Sequence, residues 1–259
     1  VATLGLQTPT IAGLLPETET NARTIRYIRE KSFTNSAAAV AENGTKPEAS
    51  WDLEEIDEQV RKIAVIGRVT DEFVDDFPAV RDYVNNRLRF MVLGCEDDQL
   101  LNGNGEGVNL RGILNTPGIQ TQAKGSDSNL DAIHKAITKV KTVGFLFPTA
   151  IAVHPEDWEI LRLMRDDTAN YYSGGPFAAV DNVLWGLPVV KTTRIARGTA
   201  LVGDFVRGGQ IFRRQGLTFE MSNTDADNFS KNLITFRAET RLALAIYRPL
   251  AFCTVTGIA

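Results

Sequence analysis

Residues 25–65 contain two runs that alternate apolar and polar side chains about a polar tip, and their charge restricts what the chain can become. Ile25, Tyr27 and Phe33 mark the first run, with Arg26, Ile28 and Glu30 among them. The tip is "AENGTKPEAS", and alternation resumes at Trp51, Leu53 and Glu55 and continues to Ile63 and Val65. Two such runs about a Gly/Pro-bearing tip predict a long β-hairpin over about 25–68. Its second arm reads "DLEEIDEQVRK", too charged to bury a face against its own core. An isolated two-stranded hairpin is marginal in water, so this one needs cover from a partner subunit.

The rest of the chain predicts an ordinary globular body. Asp75 and Asp76 before Pro78 are a helix start, Gly103 is a stop, and Phe77, Val80, Val84, Leu88, Val92 and Cys95 form one stripe at steps of three or four. A second helix begins at Ser128, with Asp131 as its capping partner and Leu130, Ile133, Ile137 and Val140 as its stripe; Gly144 ends it. A short strand "TAIAV", a helix opened by Pro155, a strand-like "LWGLPVVKTT" and a β-rich remainder follow, with a long run from Leu233 to Phe252. Helices and strands do not alternate regularly, so the class is α+β. The first 23 or so residues, with Pro9 and Pro16, predict an extended arm rather than a packed element.

"LLNGNGEGVNLRGILNTPG", residues 100–118, is the one stretch that invites an enzymatic reading. It follows a helix instead of a strand, and no Gly-Lys-Ser/Thr closes it. It therefore lacks the helix N-terminus and the lysine of a phosphate cradle, and the glycines predict a turn that redirects the chain. His134 and His154, the only histidines, have no Cys or carboxylate at metal-ligand spacing. "DADN" at 225–228 lacks the glycine and terminal glutamate of a calcium loop. No serine or cysteine occupies a nucleophile elbow. The net charge of −4 argues against nucleic-acid binding through bulk charge, and no apolar run approaches membrane-spanning length. Two distant cysteines, Cys95 and Cys253, favour a reduced, intracellular chain.

Several stretches, in order, resemble one family: "YIREKSFTNSAAAVAENGTKPEAS", "VNNRLRF…EDDQLLNGNGEGVNLRGI", "HPEDWEILRLMRDD", "GGPF…LWGLPVV" and "DNFSKNLITFRAETRLALAIYRP". They are similar to the major capsid protein of tailed bacteriophages of the Hong Kong 97-like type, from about Tyr27 to Pro249. The resemblance implies the Hong Kong 97-like fold: an N-terminal arm (1–23), an extended hairpin loop (24–69), a peripheral domain with a long spine helix (70–128 and 204–240) and an axial domain (129–203 and 241–259). It implies an icosahedral shell of pentamers and hexamers of this chain, enclosing double-stranded DNA without reading its sequence. It further implies a virion protein assembled in the host bacterial cytoplasm, without metal or organic cofactor and without a membrane. Portal, maturation protease and decoration proteins would be its partners. Val1 in place of Met fits proteolytic removal of a scaffolding segment. An encapsulin-type nanocompartment, which encloses a cargo enzyme, is the alternative within the same fold.

Relatives of this type weld their shells with lysine–asparagine isopeptide bonds assisted by a glutamate. The resemblance carries the lysine of "KPE" onto Lys46, the asparagine of "KN" onto Asn232, and the glutamate seven residues further onto Glu239. The residue types suit the chemistry. A lysine amine, which ordinarily titrates at about 10.4, must be desolvated or handed to a base before it attacks an amide carbon. A carboxylate in a drying interface can take the proton. On a continuous strand, the odd separation of Asn232 and Glu239 puts them on opposite faces, which points to an intermolecular site. The expected activity is a single self-reaction, not enzymatic turnover.

Overall fold

The computed structural model describes residues 11–258 apart from 78, 167, 173–181 and 226. In chain order the described elements begin with β1 (Glu17–Glu19), β2 (Thr24–Thr34), β3 (Ser50–Gln59), β4 (Arg61–Thr70), α1 (Asp71–Asp76) and α2 (Ala79–Asn102). Next come β5 (Gln120–Ala123), α3 (Asn129–Thr142), β6 (Ala150–Val153), α4 (Pro155–Leu163), β7 (Val183–Leu184) and β8 (Leu187–Lys191). The chain closes with β9 (Thr199–Gly203), α5 (Phe205–Gly208), β10 (Gly209–Ser222), α6 (Asn228–Lys231), β11 (Leu233–Ile246) and β12 (Phe252–Thr256). The class is α+β. One sheet runs β1-β10-β11-β4, a second runs β5-β12-β9-β6-β8-β7, and β2 pairs only with β3.

Alternation along β11 explains how the first sheet packs. Ile234, Phe236 and Ala238 meet Val74 of α1 and Val80, Leu88 and Val92 of α2 in one apolar cluster. The intervening residues point to the other face, as the period of two requires. The second sheet and α3 enclose the larger core, in which Ile133, Ile151, Leu201, Phe205 and Phe252 are fully buried. Helix α3 starts as expected: the Ser128 hydroxyl accepts from the Asp131 N–H at 3.1 Å.

Four expectations need correction. The hairpin is shorter than the alternation over about 25–68 predicts: β2 pairs β3, whereas β4, with Ile63 and Val65, pairs antiparallel with β11. Alternation alone does not tell which neighbour a strand takes, and both fit the same pattern. The long helix runs Ala79–Asn102, between its expected start and stop signals and after the separate short helix α1, but its buried stripe is narrower than the periodicity predicts. Phe77 falls outside the buried stripe, exposed and stacked on Phe73 at 5.3 Å between ring centroids, and Cys95 is exposed as well. The segment before residue 23 is not simply an extended arm. Ile11 and Leu15 are buried in the main core, and β1 adds in parallel to β10. "LWGLPVVKTT" is a β7–β8 hairpin whose turn residues Trp185 and Gly186 have φ of +53° and +79°. This is the pair of positive angles that a tight two-residue hairpin demands.

The glycine-rich stretch is a turn. The Gly105 N–H reaches the Leu110 carbonyl at 2.8 Å, and the Gly112 N–H reaches the Gly103 carbonyl at 2.8 Å, so the chain doubles back on itself directly after α2. A Cβ at Gly103 would lie 2.2 Å from the Leu110 carbonyl oxygen, and one at Gly112 would lie 2.5 Å from that of Leu101. Backbone proximity is what requires glycine here. His154 caps α4, its Nδ1 accepting from the Glu156 N–H, and His134 stacks edge-on to Trp185. Burial pushes the Cys253 thiol up to about 11, which keeps it protonated and unreactive.

An ion cluster joins four elements of the chain. Arg213 on β10 donates to Glu96 on α2 at 2.7 and 3.2 Å, to Glu17 on β1, and to the Thr240 hydroxyl on β11 at 3.1 Å. The Glu96 side chain is 1% exposed. Asp97 beside it accepts the N–H groups of Ile11 and Ala12. Removing one partner of a buried pair leaves an uncompensated charge. Arg213→Met is therefore expected to cost the soluble subunit about 3 kcal/mol or more, measured by denaturant unfolding followed by circular dichroism.

Candidate functional site

The three residues drawn from sequence lie in different local settings. Lys46 sits on the tip between β2 and β3, exposed, and its ammonium has no hydrogen bond or ion pair among the described residues. The tip leaves the shaft through residues 35–49, which carry no regular structure beyond a turn at Glu42 and Asn43.

Asn232 is the left-handed residue that ends α6, with φ +49° and ψ +52°. Its carbonyl accepts the Asp71 N–H at 2.8 Å, tying the start of α1 to the start of β11. Asparagine tolerates this conformation better than other residues with a Cβ because its short polar side chain bonds locally. The side chain is exposed. Asn232 precedes β11 instead of belonging to it, so strand parity does not set its direction, and the opposite-face argument from odd spacing falls. What separates Asn232 from Glu239 is length. Seven residues at about 3.3 Å each put them roughly 20 Å apart, so one chain does not bring both to the same lysine.

Glu239 lies on β11 opposite Ala64 of β4 and Thr218 of β10. Its side chain is 9% exposed and is surrounded by cations: Lys62 Nζ at 3.7 Å, Arg237 Nε at 3.8 Å and Arg241 at 3.8 Å. Gln215 Nε2 donates at 3.4 Å. All four contacts are long. The carboxylate is oriented by a ring of partners without being gripped by any one of them. Of this ring, Arg237 and Arg241 flank Glu239 in the chain. Lys62 and Gln215 arrive through strand pairing.

The hairpin base is anchored by a contact with no sequence signature. Tyr27 Oη both accepts from the Ile246 N–H at 3.3 Å and donates to the Ile246 carbonyl at 3.4 Å. Beyond Leu242, β11 has lost β4 as a neighbour, and the phenol satisfies the open edge. Tyr27 also packs edge-on to Tyr247, with ring centroids 5.2 Å apart. Burial pushes the Tyr27 phenol and the adjacent Glu58 carboxyl up. On the opposite face of the hairpin base, the Arg26 guanidinium holds the Asp57 carboxyl below its usual range. Among the described residues, no group of three or more His, Cys, Asp or Glu is placed to hold a metal ion, and no helix is long and apolar enough to cross a membrane.

A spine helix across a four-stranded sheet, a second sheet beside it and a projecting hairpin define a fold shared with solved virus-like shells. The structure superposes on a chain from the capsid of a native GTA particle with a TM-score of 0.81 at 15% identity, covering 100% of this chain and 93% of that one. It superposes on a chain from Mycobacterium phage Bobi with a TM-score of 0.79 at 16% identity, covering 98% and 92% respectively. In sequence, it is 39% identical over 250 residues to the major capsid protein of Enterobacteria phage HK97, spanning 95% of this chain and 64% of that protein's length. The phage capsid family model matches residues 1–257, and the chain belongs to that family.

The left-handed Asn232 separates a structural role from a chemical one. Asn232→Gly is expected to leave subunit stability nearly unchanged, since glycine adopts this conformation freely. Asn232→Val is expected to cost about 1–2 kcal/mol. Thermal unfolding of the soluble subunits compares the two.

Proposed function

We propose that this chain is a major capsid protein that assembles, as pentamers and hexamers of itself, into an icosahedral shell around phage double-stranded DNA. The observation that carries this reading is the 39% identity to a major capsid protein across 95% of the chain, in a fold that leaves a charged hairpin without cover. In this reading the four-stranded sheet and α2 are the peripheral domain and the six-stranded sheet with α3 is the axial domain. The hairpin lies over an adjacent subunit. Portal, maturation protease and decoration proteins are its partners in the head, and assembly takes place in the host cytoplasm.

We further propose that neighbouring subunits are welded by an isopeptide bond between Lys46 of one chain and Asn232 of a second, with Glu239 of a third as base. The Lys46 amine, as the neutral nucleophile, attacks Asn232 Cγ, and Glu239 takes a proton from the attacking nitrogen. The tetrahedral intermediate collapses with cleavage of the Cγ–Nδ2 bond. The proton passes from Glu239 to the leaving nitrogen, which departs as ammonia, so each link loses one NH3 and Glu239 is regenerated. The exposed amine at a projecting tip, the exposed amide in a rigid turn and the loosely held carboxylate support this assignment. Their separation in one chain is the reason reaction awaits assembly: the groups must converge and exclude water before the amine is competent.

Mature particles boiled in detergent are expected to show covalent ladders, and peptide mass spectrometry a Lys46–Asn232 link lighter by one ammonia. Glu239→Gln is expected to preserve particles under the electron microscope and abolish the ladder. Wild-type particles that dissolve to one monomer band would overturn the weld while leaving the shell reading intact. Deleting Glu42–Ser50 removes no core residue and is expected to leave subunit melting unchanged but lower that of the shell. Equal shell melting temperatures would count against an intersubunit role for the tip.

A further inference from the structure

The ring around Glu239 holds more positive charge than its carboxylate balances. Strand pairing sets Lys62 of β4 directly opposite Arg241 of β11, with Gln215 of β10 on the other side of Arg241. Like charges that face each other across a sheet are destabilising. Glu239, on the same face, is the carboxylate within reach of both among the described residues. Arg237 is the third cation, and it is already paired with Glu220. Three cations against two carboxylates leave this patch with one uncompensated positive charge. Farther along β4, Arg68 and Asp225 pair with each other and cancel.

The contacts are also loose. Charge-assisted N–H···O bonds run at about 2.7–2.9 Å, whereas the three cations stand 3.7–3.8 Å from the Glu239 oxygens and Gln215 Nε2 stands at 3.4 Å. Arg241 Nε is enclosed, yet it has no hydrogen-bond partner among the described residues. Both carboxylate oxygens therefore keep lone pairs for one more N–H donor. Nor is the surrounding surface hydrocarbon: the Lys62, Arg237 and Arg241 side chains are 40–52% exposed. An amine that reaches Glu239 meets positive charge at its flanks instead of an apolar wall.

We infer that Lys62, seconded by Arg241 and Arg237, readies the incoming Lys46 for attack by like charge, favouring its neutral amine over its ammonium. The inference rests on the weld reading above and gives a role to residues outside Lys46, Asn232 and Glu239. A positive charge beside an ammonium disfavours the protonated form, and a neighbouring cation is one of the general ways of activating a lysine. The Lys46 ammonium releases one proton to solvent as it arrives. The neutral nitrogen attacks Asn232 Cγ, and Glu239 takes the proton that the attacking nitrogen then sheds. Lys62 forms no bond and is not consumed; its flexible stem lets it withdraw from Glu239 Oε2 as the amine approaches. The charged groups that face this amine are Lys62 on β4, Glu220 on β10, and Arg237, Glu239 and Arg241 on β11. The tip itself brings Glu42 and Glu48, which act equally in every variant compared below.

The test is the pH dependence of linking. Particles assembled from the full chain are moved into buffers across a pH series, and the linked fraction is followed with time on denaturing gels. Linking is expected to rise with pH as the amine becomes neutral. In Lys62→Gln the midpoint of that rise is expected to move up by about one pH unit. Linking at pH 7 then slows about tenfold, and the rates converge with wild type at alkaline pH. Lys62→Arg, which keeps the charge, is expected to restore the wild-type midpoint. Arg241→Gln removes one charge from the same ring and is expected to shift the midpoint in the same direction, so a folding defect in either variant leaves the other to decide. Unchanged midpoints would overturn the inference while the weld stands. Slowing by the same factor at every pH would reduce Lys62 to a residue that orients Glu239 and overturn it too. A Lys62–Asn232 peptide in the mass spectrum would make Lys62 the nucleophile, with the same result. Wild-type particles that form no ladder at any pH would sink the weld reading, and this role with it.

Discussion

The pairing register of β11 between β10 and β4 governs nearly everything else in this molecule. Side chains alternate faces along a strand, so a slip of one residue would turn Ile234, Phe236 and Ala238 to solvent and drive Arg237, Glu239 and Arg241 against α2. The register is held by the apolar cluster under the spine helix on one side. It is held farther along by the Arg213–Glu96–Glu17 cluster, to which the β11 hydroxyl of Thr240 contributes. Because a buried charge that loses its partner is strongly destabilising, the cluster couples the order of the spine helix to that of the sheet and of the segment before residue 20.

That same register makes the outer face of the sheet. Once Thr240 faces Arg213, its neighbour Glu239 must face away, where strand pairing supplies Lys62 and Gln215. A single packing decision on the inner face thus creates a ringed carboxylate on the outer one. The hairpin obeys the opposite economy. It is fastened at its base, through Tyr27 on the open edge of Ile246 and through Ile25, and its far half carries the exposed side chains of Ile28, Phe33, Trp51 and Leu53. Residues 24–59 carry the net charge of −4 and the remainder of the chain is neutral, so the charge of this member of the phage capsid family is concentrated on its projection.

Much of this was legible in the residues. Ser128 and Asp131 announce α3, the stripe Val80, Leu88 and Val92 announces the spine helix, and the charged alternation of 51–59 announces an uncovered hairpin; each depends on residues close in sequence. The candidate residues Lys46, Asn232 and Glu239 came from resemblance, not from spacing. The structure replaces the parity argument for Asn232 with a left-handed turn. The partner of β4 was not legible, because a strand that alternates Ile63, Val65 and Val69 fits a hairpin and a sheet equally well. Nor was the burial of Glu96 and Asp97, which looks like a polar patch until Arg213 and the N–H groups of Ile11 and Ala12 arrive from about 85 or more residues away.

The sequence by itself determined the local elements, their caps and turns, and the segregation of charge onto one segment, since each follows from backbone propensity, side-chain period or a simple sum. Tertiary structure decided which strands became neighbours, which carboxylates were buried with a partner, and which face of the hairpin carries Phe33 together with Trp51. The last turned on one extra residue between Glu30 and Ser32. Long-range pairing is chosen by the free energy of the whole packed sheet, and two registers that look alike along the chain differ only in what they bury across it.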